Sequence, residues 1–219
     1  MDELTQGLTN MRYAWQQMKL PYKREYKHTY ERLYMIGALL MLSIAVLGTL
    51  KLGYICPSIS QFYYTPAQDI LEAGLFSVAV VFAVNSGYNG FDRLINTMVA
   101  LGCVGVICFP CESLNYFFHI PFQTLHYSSA ATIFFSFGTA CLFVFPQHRT
   151  KYIHYINEGR KRVRNVIYRT CGILIYIGLI GFFILPHYCP VGIMICECWM
   201  VLFSAIGYLV QGKIILKDR

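Results

Sequence analysis

The chain has 219 residues, 56% of them hydrophobic and 13% charged, with a formal net charge of +7. Soluble domains carry about 25% charged residues, and too few polar faces remain here for six amphipathic helices packed in water. The composition excludes an ordinary soluble domain and puts the positive charge in a membrane context.

In chain order, residues 1–32 are polar, basic and rich in tyrosine. They read as a cytoplasmic amphipathic segment lying along the membrane interface, broken at Pro21; a loosely ordered tail is the alternative. No small-x-small cleavage site follows the first apolar run, so the first helix is expected to be a retained signal anchor. Six apolar runs follow: Leu33–Leu50, Ile70–Ser86, Leu94–Phe109, Thr124–Phe145, Val166–Leu185 and Val191–Val210. A spanning helix needs about 17 to 25 such residues, and the third run is short enough to be expected to start nearer Arg93. The expected fold is all-α: a polytopic membrane protein with a six-transmembrane-helix bundle over residues 33–212 and a short tail over 213–219.

Every one of the 18 lysines and arginines except Lys51 falls on one side of this arrangement. The positive-inside rule then makes both termini cytoplasmic. The basic stretch "GRKRVRN", Gly159 to Asn165, is expected to touch anionic lipid headgroups at the cytoplasmic face rather than nucleic acid. The expected location is an integral, multi-pass protein of a plasma membrane, or of the inner membrane if bacterial. Membrane lipids are its expected partners, and a homo-oligomer is compatible with the chain.

The stretch "YICPSISQFYYTPAQDILEAGLF", Tyr54 to Phe76, interrupts the apolar pattern with hydroxyls and two carboxylates on the expected outer side. Asp69 suits a helix N-terminus through the helix dipole and a capping role. That explanation fits Glu72, one turn deeper, less well. His126 and Glu197 are expected at similar depth in two other helices. Ionisable groups at such depth face the bundle interior and find partners. Asp69, Glu72, His126 and Glu197 are therefore expected to converge on one outward-facing polar cavity, with Ser58, Ser60, Tyr63 and Tyr64 lining or covering it. Four uses of such a cavity stay open. His126, Asp69 and Glu197 could hold a divalent metal. Paired carboxylates could bind a proton or substrate. The acids and the histidine could meet a lipid headgroup. Or the cluster could fix helix register.

Of nine cysteines, Cys56, Cys111 and Cys189 fall on the expected outer side and are disulfide candidates, Cys56 with Cys189 foremost. The embedded cysteines read as small apolar residues. Gly102, Gly105, Ser128 to Ala131, Gly172, Gly178 and Gly181 offer small faces for close helix packing. No nucleotide-binding loop, nucleophile elbow or zinc-protease motif is present.

"PSIS", Pro57 to Ser60, resembles the Pro-x-Ile-Ser that follows the first span of the DRAM/Frag-like six-helix membrane proteins. "LHYSSA", Leu125 to Ala130, is similar to their His-x-x-Gly-Ala, with Ser129 in place of the glycine. The layout from residue 33 to 212 looks most like that of uncharacterised bacterial members. The resemblance implies a six-helix bundle with an outward polar site and a role in lipid remodelling or membrane stress, and it reaches Pro57, Ser60 and His126. A weaker likeness runs to the membrane hydrolases that include alkaline ceramidases and progestin-type receptors. There Ser60 and Asp69 would take the parts of a serine and an aspartate beside zinc, while Glu197 stands where that family has histidines.

Three functional classes follow. The first is a lipid- or small-ligand-binding membrane protein in a sensor or accessory role. The second is a membrane-embedded lipid hydrolase using a metal or a carboxylate with His126 as base. The third is a proton-coupled transporter using Asp69, Glu72 and Glu197, which would need a second polar layer on the inner side; only Asn85, Asn89, Asp92 and Asn96 offer one, and loop placement would account for most of them.

Overall fold

The computed structural model describes residues 27–85, 87, 90–147, 158–213 and 216. Among them are six α-helices: α1 (Lys27–Leu52), α2 (Gln68–Val84), α3 (Gly90–Cys108), α4 (Phe122–Thr139), α5 (Glu158–Ile184) and α6 (Gly192–Gln211). Five are long and apolar enough to cross a membrane; α2, with 17 residues, is the exception. A two-stranded antiparallel hairpin, β1 (Tyr116–Phe117) and β2 (Ile120–Pro121), joins α3 to α4. Its two-residue turn holds Phe118 and His119 at positive φ, the twist that suits a tight hairpin.

Each helix packs on its neighbours in sequence, and α6 packs back on α1. The result is a closed ring of antiparallel helices. The start of α1 and the end of α6 meet at one end of it, where Lys213 pairs with Glu31 at 3.1 Å. We call this the terminal end. The opposite, loop end gathers the connections 53–67, 109–121 and 185–191.

The helix limits follow from local chemistry. At the end of α1 the chain leaves through Gly53, at φ +72, with its N–H on the Thr49 carbonyl at 2.9 Å; this left-handed cap favours glycine. Helix α4 continues through a wide π-helical turn, Ala140–Val144, into a short 3-10 turn over Phe145–Gln147, where Pro146 removes the next backbone donor. Close packing follows the small residues. A Cβ on Gly105 would collide with Ser129 of α4, and one on Gly178 with Met200 of α6.

The centre of the terminal half is aromatic. The Tyr208 ring meets Phe145 at 5.0 Å, Phe137 at 5.2 Å, Phe82 at 5.3 Å and Tyr34 at 5.4 Å between centroids. These edge-to-face contacts join α1, α2, α4 and α6, and add to the burial of large apolar area.

Two expectations change here. Helix α1 begins at Lys27, so residues 27–32 belong to the first helix rather than to an interfacial segment; residues 1–26 of that segment lie outside the described residues. All nine cysteines are free thiols, so the pairings among Cys56, Cys111 and Cys189 are absent. Cys56 and Cys111 are buried in the protein, while Cys189 is part exposed.

Candidate functional site

The site grows out of the loop between α1 and α2. Pro57 and Gly53 keep residues 53–59 out of helix. Ser58, buried, takes the N–H of Gln61 on its hydroxyl at 3.2 Å, a local turn that competes well with helix. A short 3-10 turn, Ser60–Tyr64, then packs the fully buried Phe62 against Gly48 of α1.

Two helices reach this loop from their first turns. The Ile59 N–H donates to Oε2 of Glu197 in α6 at 2.5 Å. Nearby, the Met194 N–H donates to the Pro57 carbonyl at 2.8 Å. From α4, His126 Nε2 lies 3.0 Å from Ser60 Oγ, and His126 Nδ1 lies 2.8 Å from the Phe109 carbonyl. A carbonyl only accepts, so Nδ1 carries the proton and Nε2 accepts from the Ser60 hydroxyl; the network assigns the tautomer. His126 and Glu197 are buried, at 3% and 8% exposure. They lie about 6 and 8 Å along their helices from the first residues, at the 1.5 Å rise of an α-helix.

The next connection closes over the loop. The Glu112 N–H donates to the Tyr64 hydroxyl at 2.8 Å, and Gln61 Nε2 donates to Glu112 Oε1 at 2.7 Å. Burial pushes the Cys111 thiol up, and the nearby Glu112 and Glu197 carboxylates raise it further. The thiol is thereby held protonated at neutral pH.

Of the residues expected to converge, Ser58, Ser60, Tyr64, His126 and Glu197 come together on this loop. Asp69 and Glu72 do not join them. Asp69 is exposed and pairs with Lys51 at 2.6 Å, and Glu72 takes a hydrogen bond from Gln68 at 2.7 Å. Both belong to the outer surface of α2's first turns, where a carboxylate is favoured by the helix N-terminus. Among the described residues no group of three or more histidine, cysteine or acidic side chains is placed to hold a metal. His126, with both ring nitrogens engaged, does not fit a ligand role.

The carboxylate of Glu197 is only half used. Oε2 is bonded to Ile59, and among the described residues no protein donor reaches Oε1. Oε1 is not one of the sealed, unpartnered polar atoms, so it stays accessible from outside the protein.

At the terminal end lies the second polar group that the sequence offered. Asn85, Asp92 and Asn96 are buried, at 1%, 2% and 2% exposure. Asn96 Nδ2 donates to the Asn85 carbonyl at 2.8 Å, and Asn85 Oδ1 accepts from Gly87 at 3.0 Å. Asn89 lies outside the described residues. The signal available was spacing: Asp92 and Asn96 are four apart and share one face of α3.

No protein-family model, no curated protein and no solved structure matches this chain.

Proposed function

We propose that this is a multi-pass membrane protein whose loop end binds a lipid headgroup or a small polar ligand, in a sensor or accessory role. All six helices cross the bilayer on this reading. Helix α2 spans about 26 Å at 1.5 Å per residue, close to a hydrocarbon core of about 30 Å. The cytoplasmic side is the terminal end, which carries every lysine and arginine among the described residues but Lys51. Basic residues of early α5, Arg160, Lys161 and Arg162, meet anionic headgroups there. The likeness of Pro57–Ser60 and His126 to the DRAM/Frag-like proteins supports a lipid-facing role for the opposite end.

The observation that carries the reading is the Glu197 carboxylate, 8% exposed, whose Oε2 holds the loop while Oε1 has no protein donor among the described residues. A ligand bearing N–H or O–H groups, such as an amine or polyol headgroup, would satisfy it. The test is mass spectrometry of lipids retained after purification and extended detergent washing. The wild-type protein retains a polar lipid that Glu197→Gln loses. Identical lipid profiles for the two proteins would sink the reading.

The buried Asn85, Asp92 and Asn96 favour a second reading, proton-coupled transport between a terminal-end polar layer and Glu197. Proton uptake by liposomes containing the protein, abolished in Asp92→Asn, would support it; a flux no greater than that of empty liposomes would remove it.

A further inference from the structure

We propose that Ser60 and His126 form a nucleophile–base pair for acyl transfer on the ester of a membrane lipid. The proposal rests on the headgroup-binding reading for its substrate and on separate geometry for its chemistry. Activated serine needs three parts: a hydroxyl, a base within hydrogen-bond reach, and a group that orients the base. All three are present. Ser60 Oγ is the hydroxyl, His126 Nε2 at 3.0 Å the base, and the Phe109 carbonyl at 2.8 Å from Nδ1 the orienting group. The Phe109 contact fixes the tautomer with Nε2 unprotonated, the form that can take the serine proton. It also places a carbonyl dipole against the Nδ1–H of the imidazolium that then forms.

The placement suits a lipid ester. His126 is buried one turn into α4, whereas Ser60 is only part buried. The base is thus shielded while the hydroxyl is reachable. One helical turn below the loop end corresponds to the boundary between headgroups and hydrocarbon, where ester carbonyls lie. Glu197 is a positioning residue: its bond to the Ile59 N–H holds the residue next to Ser60.

The reaction balances without a further reagent. Ser60 Oγ bonds to the ester carbonyl carbon as its proton passes to His126 Nε2. The carbon–oxygen bond to the lipid alcohol then breaks, and the departing oxygen takes that proton. Water, or the hydroxyl of a second lipid, adds to the acyl-serine by the same steps in reverse order. This releases the fatty acid or a new ester and restores the serine.

The experiment uses the full chain in nanodiscs of phosphatidylethanolamine and phosphatidylglycerol, treated with an alkyl fluorophosphonate and mapped by peptide mass spectrometry. The expected result is a phosphonate on Ser60, absent in Ser60→Ala. In His126→Asn labelling falls by about a hundredfold, the lower range of general-base contributions, while Ser77→Ala, whose hydroxyl bonds only within α2, keeps it. Thermal midpoints of the variants guard against misfolding. Lipid retained with no label on wild-type Ser60 overturns the catalytic pair and leaves the binding reading standing. Label on Ser60 with no retained lipid does the reverse. Equal labelling in wild type and His126→Asn also overturns the pair.

Discussion

The two ends of the ring hold their polar groups in opposite ways. At the loop end, Glu197 and His126 reach out of apolar helices to grip a non-helical segment, Pro57–Ser60, by a few separate hydrogen bonds. At the terminal end, Asn85, Asp92 and Asn96 lie beside a nest of rings from four helices centred on Tyr208. The first arrangement depends on tethers that can be cut one at a time; the second depends on shared packing. A membrane bundle gains little from burying apolar groups away from lipid, so packing and hydrogen bonds carry its cohesion. The loop end is accordingly expected to open locally, and the terminal end to unfold only with the whole ring.

The largest test removes the ring that four others touch. Tyr208→Ala is expected to cost about 3–5 kcal/mol, the range for large-to-small core substitutions, as a loss of unfolding free energy in denaturant titration. Tyr208→Phe is expected to be neutral or slightly stabilising. The buried hydroxyl has no protein partner among the described residues, and an unsatisfied group contributes nothing when kept. A Tyr208→Phe loss as large as that of Tyr208→Ala would show that a hydroxyl bond, not packing, holds this end.

Next in size is a cut tether. Glu197→Ala removes the acceptor of the part-buried Ile59 N–H, which costs about 1.5–3 kcal/mol, the range for hydrogen bonds to charged groups. The effect should be local. Hydrogen exchange should quicken over residues 57–64 and stay slow in α1 and α6 around Tyr34 and Tyr208. Uniform acceleration across both ends would erase the distinction between them.

A smaller effect reads the loop through its thiols. Burial raises the Cys111 thiol above its ordinary range, and burial likewise raises Cys56. A raised thiol is protonated at lower pH and becomes reactive only as pH climbs toward its shifted value. Maleimide at pH 7 should therefore modify exposed Cys108 first and Cys56 and Cys111 slowly, with the slow pair accelerating as pH rises. Glu197→Ala should speed Cys111 by removing a nearby negative charge, and both thiols by loosening the loop. Equal rates for Cys108 and Cys111 in the wild-type protein would place Cys111 outside the closed site.

The sequence makes the helices legible and leaves their pairing obscure. Apolar runs locate all six, because hydropathy reports the environment each helix must face, but α1 and α5 begin at Lys27 and Glu158, six and eight residues before the runs at Leu33 and Val166. Lys27–Arg32 escapes that reading since a polar helical turn looks like an interfacial segment. The convergence of Ser58, Ser60, His126 and Glu197 was also legible, as hydroxyls and lone ionisable groups at matched depth. Their particular pairing was not: Ser60 meets His126 across 66 residues and Ile59 meets Glu197 across 138, and no periodicity encodes contacts of that range. The aromatic nest around Tyr208 was invisible for the same reason. Asn85 and Asn96 fall inside the apolar runs and Asp92 just outside one; the sequence offers them as an inner polar layer but not their burial at 1%, 2% and 2% exposure.

Asp69 gives the smallest expected effect and the sharpest check on where the site stops. Its composition-level claim was as good as that of Glu197: an acid at the edge of an apolar run on the same side. The structure separates them by one neighbour. Lys51, at the end of α1, lies 2.6 Å from Asp69 on an exposed surface, and exposed pairs contribute little to stability. Asp69→Asn should therefore leave the thermal midpoint, the retained lipid, the maleimide rates and Ser60 labelling unchanged, and the same holds for Glu72→Gln. Lipid loss in Asp69→Asn equal to that in Glu197→Gln would extend the site across the first turns of α2. An unchanged profile confines it to the loop gripped by α4 and α6, where Ile59 holds the Glu197 carboxylate and the next residue, Ser60, meets His126.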